Sequence, residues 1–424
     1  MQTNNIPTLR FPGFEGEWES LKLKDISLFK SGGTPSKENP DFWDGEIPWI
    51  SAASMTDKYL SKSVRRVTEL GLKKGSKEAV KGSLLLLVRG SMLFKKIPVG
   101  IVDKNLAFNQ DVKALEINNK SSSEFIYYWL TSSESKLLNL VLGTGIGAGK
   151  LDTDDLKNLR LNIPSLPEQQ KIATFLTATD KRITQLSEKQ ALLEQYKKGM
   201  MQQLFSQTLR FKQADGTDYP DWEEKGFSEV YSFLTTNSLS REKLNYENGK
   251  VFNIHYGDIH TKFSTLFEIN KENIPLINPD VDISKIKEEN YCKEGDLVIA
   301  DVSEDYNDIG KAIEIISLEE TNVVAGLHTF LARPDKSKIV IGYAGHMMKC
   351  RAVRKQIMKI AQGTKVLGIA TSRLGNIELG IPSLEEQTRI ASFLSAIDQK
   401  ITEVAQQLEQ TQSFKKGLIQ QMFV

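Results

Sequence analysis

The chain is predicted to be an α+β protein with an internal pseudo-twofold repeat. It should hold two mixed α/β domains and two long helices, the helices packed on each other as a coiled coil. Three observations predict this. The first is a duplicated block: Ile163-Pro164-Ser165-Leu166, Glu168-Gln169, Lys197-Lys198-Gly199 and Gln202-Gln203-Leu204-Phe205 reappear from Ile381 to Phe423. The offset is 218 residues without a gap, and 20 of 43 aligned positions are identical. A duplicated sequence predicts a duplicated structural unit, and this period is far too long for a solenoid. The second is a repeated opening, Leu9-Arg10-Phe11 with Trp18-Glu19 and Leu209-Arg210-Phe211 with Trp222-Glu223. The third is the apolar spacing inside the two blocks.

These observations divide the chain into 1–162, 163–206, 207–380 and 381–424. In the first block Ile172, Leu176, Thr179, Ile183, Leu186, Gln190 and Leu193 step by four and three. In the second, Ile390, Leu394, Ile397, Ile401, Val404 and Leu408 do the same. Such steps average about 3.5 residues, the spacing of a coiled-coil seam. Pro167 sits where a first-turn proline is tolerated, after Ser165 as a cap. The second copy has Glu385 there, which suits a helix N-terminus. Gly199 and Gly417 mark a break or a close approach near the helix ends. The Lys197-Lys198 and Lys415-Lys416 pairs read as solvated helix ends.

The globular parts alternate short apolar runs with turn residues. Pro48 to Ser51, Leu84 to Val88, Gly100 to Val102, Val112 to Ile117, Leu297 to Ile299 and Ala312 to Ile316 read as strands. Ser122 to Leu142 and Lys338 to Ala361 read as helices. Gly82-Ser83-Leu84 and Gly295-Asp296-Leu297 hold comparable places before an apolar strand. A mixed, mostly antiparallel sheet is expected in each domain.

Composition sets the outer bounds. The 424 residues are 40% hydrophobic and 26% charged, as in an ordinary globular protein of two to four domains. Net charge is +1, so no global basic signature marks a nucleic-acid binder. Cys292 and Cys350 form no CxxC pair, which fits a reducing compartment and excludes a disulfide framework. No signal peptide is read, and the longest apolar run, Leu84 to Val88, is far short of a membrane span. A cytoplasmic location is expected.

Catalytic motifs fail on inspection. Gly143 to Lys150 (GTGIGAGK) lacks the glycine at Thr144 and the hydroxyl at Leu151 that a phosphate-binding loop needs. Asp221, Glu223 and Lys225 are crowded into one pentapeptide and do not converge as a metal site. His255, His260, His328 and His346 have no metalloprotease spacing. No adenine-methylating signature and no Ser/His/Asp arrangement is present.

The duplicated Ile-Pro-Ser-Leu-x-Glu-Gln helix resembles the specificity subunit of Type I restriction–modification systems. So do Leu9-Arg10-Phe11-Pro12-Gly13-Phe14 with Trp18, and Gly143-Thr144-Gly145 before the first helix. The resemblance covers essentially the whole chain. It implies that 1–162 and 207–380 are target-recognition domains and that 163–206 and 381–424 are spacer helices packed as an antiparallel coiled coil. It implies double-stranded DNA, two methyltransferase subunits and, in the full complex, restriction subunits as partners, with no membrane. It implies no catalysis and no cofactor in this chain; S-adenosylmethionine, ATP and Mg would serve the partners. Thr179 and Thr411 depart from the pattern as polar seam positions. Lys365-Val366-Leu367 departs where the first copy has Gly145-Ile146-Gly147. Two other readings stay open at this stage: a coiled-coil scaffold that binds protein partners without DNA, and an autonomous DNA-modifying enzyme.

Elementary geometry agrees with the resemblance. A helix of about 40 residues is on the order of 60 Å long, and one turn of B-DNA is roughly 34 Å. Two dissimilar heads then predict two dissimilar half-sites. Residues 1–162 hold 23 Lys+Arg and 19 Asp+Glu, net +4, whereas 207–380 hold 22 and 26, net −4. Phosphate binding therefore rests on local clusters. Candidates are Arg65, Arg66, Lys73 and Lys74 in a run that also holds Lys62 and Lys77, then Lys95 and Lys96. In the second head they are Arg351, Arg354 and Lys355, in step with Lys359. Asn109-Gln110 and His328-Thr329 are candidates for base reading.

Overall fold

The fold was taken from a computed structural model, which describes residues 5–145 and 147–423. Ile146, inside the glycine loop singled out above, lies outside the described residues. Two compact units are present: 1–187 with 406–424, and 188–405. Each contains one head and half of each long helix.

In the first unit the core is a five-stranded sheet with the order Ser27–Ser31, Val112–Ile117, Leu84–Leu87, Val99–Val102, Tyr59–Leu60. The central strand is four leucines, all fully buried. An unbroken apolar run suits a strand covered on both faces. The helix Ser123–Ser132 supplies part of that cover through Phe125, Ile126, Tyr128, Trp129 and Leu130. In the second unit the order is Tyr231–Leu234, Thr329–Pro334, Leu297–Ala300, Ala312–Ser317, Leu266–Glu268, and the central strand is again wholly buried. Gly82 and Gly295 precede these central strands with φ of +86° and +94°. A side chain would be strained at both turns, which accounts for the matched glycines.

Most strand pairs are antiparallel, as expected; Tyr59–Leu60 with Val99–Val102, Leu266–Glu268 with Ala312–Ser317, Leu106–Phe108 with Trp43–Ile50, and Phe252–Ile254 with Val323–Ala325 are parallel. The predicted helix over 122–142 is shorter. It stops at Leu138 after a break at Ser133, and Leu142–Thr144 is a strand. The predicted helix over 338–361 is two helices, Ala344–Lys349 and Arg351–Ile360.

Each head begins and ends on one small ladder. Glu19 pairs with Ile163 in the first, and Glu223 with Ile381 in the second. The long helices, Leu166–Phe205 and Leu384–Met422, start directly after these ladders. Buried Glu168 accepts from Arg10 Nε and Nη2 at 2.7 and 2.8 Å. Buried Glu386 accepts from Arg210 at 3.1 and 2.8 Å and from Trp222 Nε1 at 3.0 Å. The adjacent glutamines tie down the loops of each head. Gln169 accepts from Ser122 N and donates to the Pro164 and Lys120 carbonyls. Gln387 accepts from Val340 N and donates to those of Pro382 and Lys338. The Leu-x-Glu-Gln and Leu-Arg-Phe repeats are therefore two halves of one anchor. Phe11 on Phe175 and Phe211 on Phe393 complete it, with ring centroids 5.5 and 5.6 Å apart.

Helix pairing is likewise repeated within each unit. In the first, Ile172, Ala173 and Leu176 share a core with Leu418 and Met422, and Lys415 meets Asp180 at 2.5 Å. In the second, Leu204 shares a core with Ile390, Ala391, Leu394 and Ile397, and Lys197 meets Asp398 at 2.5 Å. These ion pairs are copies of one another at the 218-residue offset. Each unit thus joins the opening half of one helix to the closing half of the other, so their directions oppose. Along the predicted seam, Leu186 and Val404 are buried, while Ile183, Leu193, Ile401 and Leu408 are half-buried. The polar seam residues Thr179 and Thr411 return their hydroxyls to the Phe175 and Gln407 carbonyls. Lys197 and Lys415, read from the sequence as solvated, are instead partly buried ion-pair partners. Neither Gly199 nor Gly417 breaks its helix or permits a close approach, since a Cβ there would meet nothing within 4 Å. Ser383 Oγ accepts from Glu386 N as a cap.

Glu314, in the second unit, is a buried acid without a cationic partner among the described residues. Glu314 accepts from Gly342 N and Gly345 N at 2.6 and 2.7 Å, yet burial pushes its carboxyl up to about 7.

Two outcomes are expected. Arg10→Met should cost about 3–5 kcal/mol, because it leaves Glu168 buried and unpaired. Adding Glu168→Gln should restore part of that loss, and strictly additive losses in urea unfolding would refute the anchor. The raised Glu314 carboxyl makes the folded state bind more protons, so stability should fall as pH rises from about 4.5 to 7. Glu314→Gln should remove ~3 kcal/mol of that fall, and an unchanged pH slope of Tm would contradict it.

Candidate nucleic-acid interface

The basic run of the first head is carried by a second sheet. Its order is Arg66–Val67, Trp43–Ile50, Leu106–Phe108, Lys77–Ala79, and the helix Glu69–Gly75 connects its two edges. Thr68 caps that helix by accepting from Gly71 N, and Lys73 and Lys74 end it. Lys62, Arg65, Arg66, Lys73, Lys74 and Lys77 are all exposed. Arg66 has Glu46 at 3.4 Å, a contact open to water and weak for that reason. Arg65 lies 4.1 Å above the Trp43 ring, which stacks edge-on against Trp49. The tryptophan pair thus fixes a guanidinium at the surface while leaving its donors free. Lys95 and Lys96 follow the short helix Ser91–Phe94, also exposed, beside half-exposed Phe94.

Two of the proposed base readers are not at the surface. Asn109 is buried; its side chain contacts Asp111 and accepts from Asp111 N, which shapes a turn. Thr329 is buried, and its hydroxyl donates to the Gly326 carbonyl. Gln110 and His328 are exposed. Gln110 Oε1 accepts from Thr34 Oγ1 at 2.5 Å, which leaves its amide donors available. The two segments also differ in register by strand pairing: Val112 and Thr329 start equivalent strands, so His328 corresponds to Asp111.

His328 belongs to a cluster that sequence reasoning missed. It has φ of +55°, a strained value for a side chain, and its Nδ1 lies 3.4 Å from Asp301. Tyr256 packs tilted against His255 and edge-on against His328 and His260, with centroids 4.6, 5.4 and 6.1 Å apart. Beneath it, Arg241 grips buried Asp258 with two bonds of 2.7 and 2.9 Å, and Lys262 adds a third at 2.9 Å. Burial, then the Arg241 charge, lowers the His255 imidazole below its usual range. A cavity of about 340 Å³ opens beside Tyr256, His260, Val302, Asp305 and Val366. The density of His and Tyr over 255–260 was the available signal. Its junction with residue 328 was not readable, because it depends on the fold.

The rejected motifs remain structural. Around the glycine run, Leu142–Thr144 pairs antiparallel with Ala148–Lys150, and Lys150 pairs with Asp152. Where the second head has Lys365-Val366-Leu367, Leu367–Gly368 pairs with Val302–Ser303, matching the pairing of Gly149–Lys150 with Arg89–Gly90. Asp221 pairs with Arg210, and Glu223 with Lys225. Of the last basic group, Arg351 and Lys355 are exposed, but Arg354 is turned inward. Its helix buries Val353 and Ile357, and residue 354 falls at the edge of that face.

The profile described as Type I restriction modification DNA specificity domain matches residues 15–195 and again 221–411. The MjaVIII specificity subunit of Methanocaldococcus jannaschii is 26% identical over 417 residues, covering 95% of this chain and 91% of that one. The EcoR124I/EcoR124II specificity subunit of Escherichia coli is 31% identical over 176 residues, covering 41% of this chain and 44% of that one. Among solved structures, the Type I system S subunit from M. genitalium superposes with a TM-score of 0.60 at 18% identity, covering 99% of both chains. The duplicated heads, the paired anchors and this profile matched twice place the chain in the family of Type I restriction–modification DNA specificity subunits.

Proposed function

We propose that each head reads one half of a two-part DNA site and that the helices hold two methyltransferase subunits, one for each copy of the repeat. The observation that carries this is the duplicated anchor. It fixes two different heads to two near-identical helix starts by the same Arg–Glu and Gln contacts. Identical partners need identical docking surfaces, and different half-sites need different readers. In the first head, Lys62 to Lys77 and Arg65 would meet phosphates; in the second, His328, Tyr256 and His260 would face base edges or sugars. The chain itself supplies no catalytic group in this reading. S-adenosylmethionine, ATP and Mg act in the methyltransferase and restriction subunits of a cytoplasmic complex.

Exchanging residues 1–162 for another head should change one half of the methylated sequence and leave the other intact, as read by methylome sequencing. Changes in both halves, or in neither, would refute the assignment. Replacing Lys73, Lys74 and Lys77 by Gln should weaken DNA binding uniformly across sequences. It should also lower the slope of log K against log salt by about 2–3. An unaltered slope places the phosphates elsewhere.

A further inference from the structure

The second unit holds a cavity of about 630 Å³ where the closing turns of the first long helix meet the helix Arg351–Ile360 and the loop at Asn307. Its charges do not balance. Lys197 is matched by Asp398, and Lys311 by Asp308 and the His260 carbonyl. Lys198, Lys349, Arg351 and Arg354 also line it against one further carboxylate, Glu194, and none of these makes an ion-pair contact among the described residues. Arg354 Nη2 donates to the Asn307 carbonyl at 3.0 Å, but its Nη1 is buried with no partner. Lys349 is reachable by water yet walled by protein. Burial, then the Lys197 and Lys311 charges, lowers its ammonium to about 8. A desolvated guanidinium nitrogen without an acceptor is costly, and native structures rarely keep one without a use.

The shared fold does not demand this surplus. At the 218-residue offset, Tyr128, Asp180 and Lys415 correspond to His346, Asp398 and Lys197. In the first unit Tyr128 donates to Asp180 at 2.5 Å, and Lys58 reaches Tyr128 and Thr177 at 2.7 and 2.9 Å. That cluster is satisfied. In the second unit His346 is buried with both ring nitrogens unpartnered, and the cations crowd instead.

We propose that this cavity binds a phosphate group, held by Arg354 and Arg351 with Lys349 at its wall. Guanidinium forks match phosphate geometry, and a second cationic donor strengthens each bond. The cavity is of the size that accepts a small ligand such as a nucleotide. The same chemistry would be offered by a backbone phosphate of DNA, and the test separates the two.

The full-length chain is titrated with pyrophosphate, with ADP and with a DNA duplex carrying its site, by calorimetry and thermal shift. Wild type, Arg354→Met and Lys349→Gln are compared. Binding of pyrophosphate or ADP that weakens about tenfold or more in both variants supports a small phosphorylated ligand. Weakening confined to the duplex supports a backbone phosphate. Arg354→Met removes a half-buried cation that has no carboxylate partner, which offsets the lost bond to the Asn307 carbonyl, so its ligand-free Tm should not fall, and Lys349→Gln, open to water, should fold normally. The proposal fails if pyrophosphate, ADP and duplex bind both variants as they bind wild type, or if none of them binds wild type. It also fails if the variants lose only the capture of a co-expressed subunit, which would make the occupant a protein carboxylate.

Discussion

A buried carboxylate at the start of each long helix is the constraint on which each unit depends. Glu168 and Glu386 are almost wholly removed from water. A charge so placed is tolerable only with a fixed partner. The partner arrives from the segment that precedes the head, as Arg10 or Arg210. One contact therefore closes the chain around a whole domain. It brings the entry of the head to its exit, where a short ladder already joins the two ends. The neighbouring glutamine then ties a loop of the head to the first turn of the helix. Head and helix behave as one body for this reason.

That arrangement separates what is free to vary from what is not. The anchor, the ladder and the ion pairs Asp180–Lys415 and Asp398–Lys197 are repeated. The outer four-stranded sheets share a parallel pair, Trp43–Ile50 with Leu106–Phe108 and Phe252–Ile254 with Val323–Ala325, but the polar side chains they and their loops expose differ. In the first head, a tryptophan pair holds Arg65 over a basic run. In the second, a histidine–tyrosine cluster is braced by Arg241 on Asp258. These are different chemical faces on one scaffold, as sequence-specific readers of different half-sites require.

The charge of the heads also finds a physical account. The second head is net negative, which opposes phosphate binding as a whole. Yet several of its acids are consumed internally: Asp258 by Arg241 and Lys262, Asp296 by Arg333, Asp308 by Lys311. Three cations without an ion-pair partner among the described residues, Lys349, Arg351 and Arg354, line one cavity. Net charge thus misstates the local field, which pairing and burial determine.

The sequence by itself determined the duplication, the two long helices, the central strands and the family. Each of these is written in short-range periodicity, in glycine turns or in a register that survives duplication. It also located the basic run of the first head. It did not determine that Asn109 and Thr329 are buried turn residues, nor that Gly199 and Gly417 lie within unbroken helices. Nor could it place Arg354 inside a cavity or bring His328 to Tyr256. Those outcomes depend on which faces meet across hundreds of residues, and burial and hydrogen-bond satisfaction are settled only when they do.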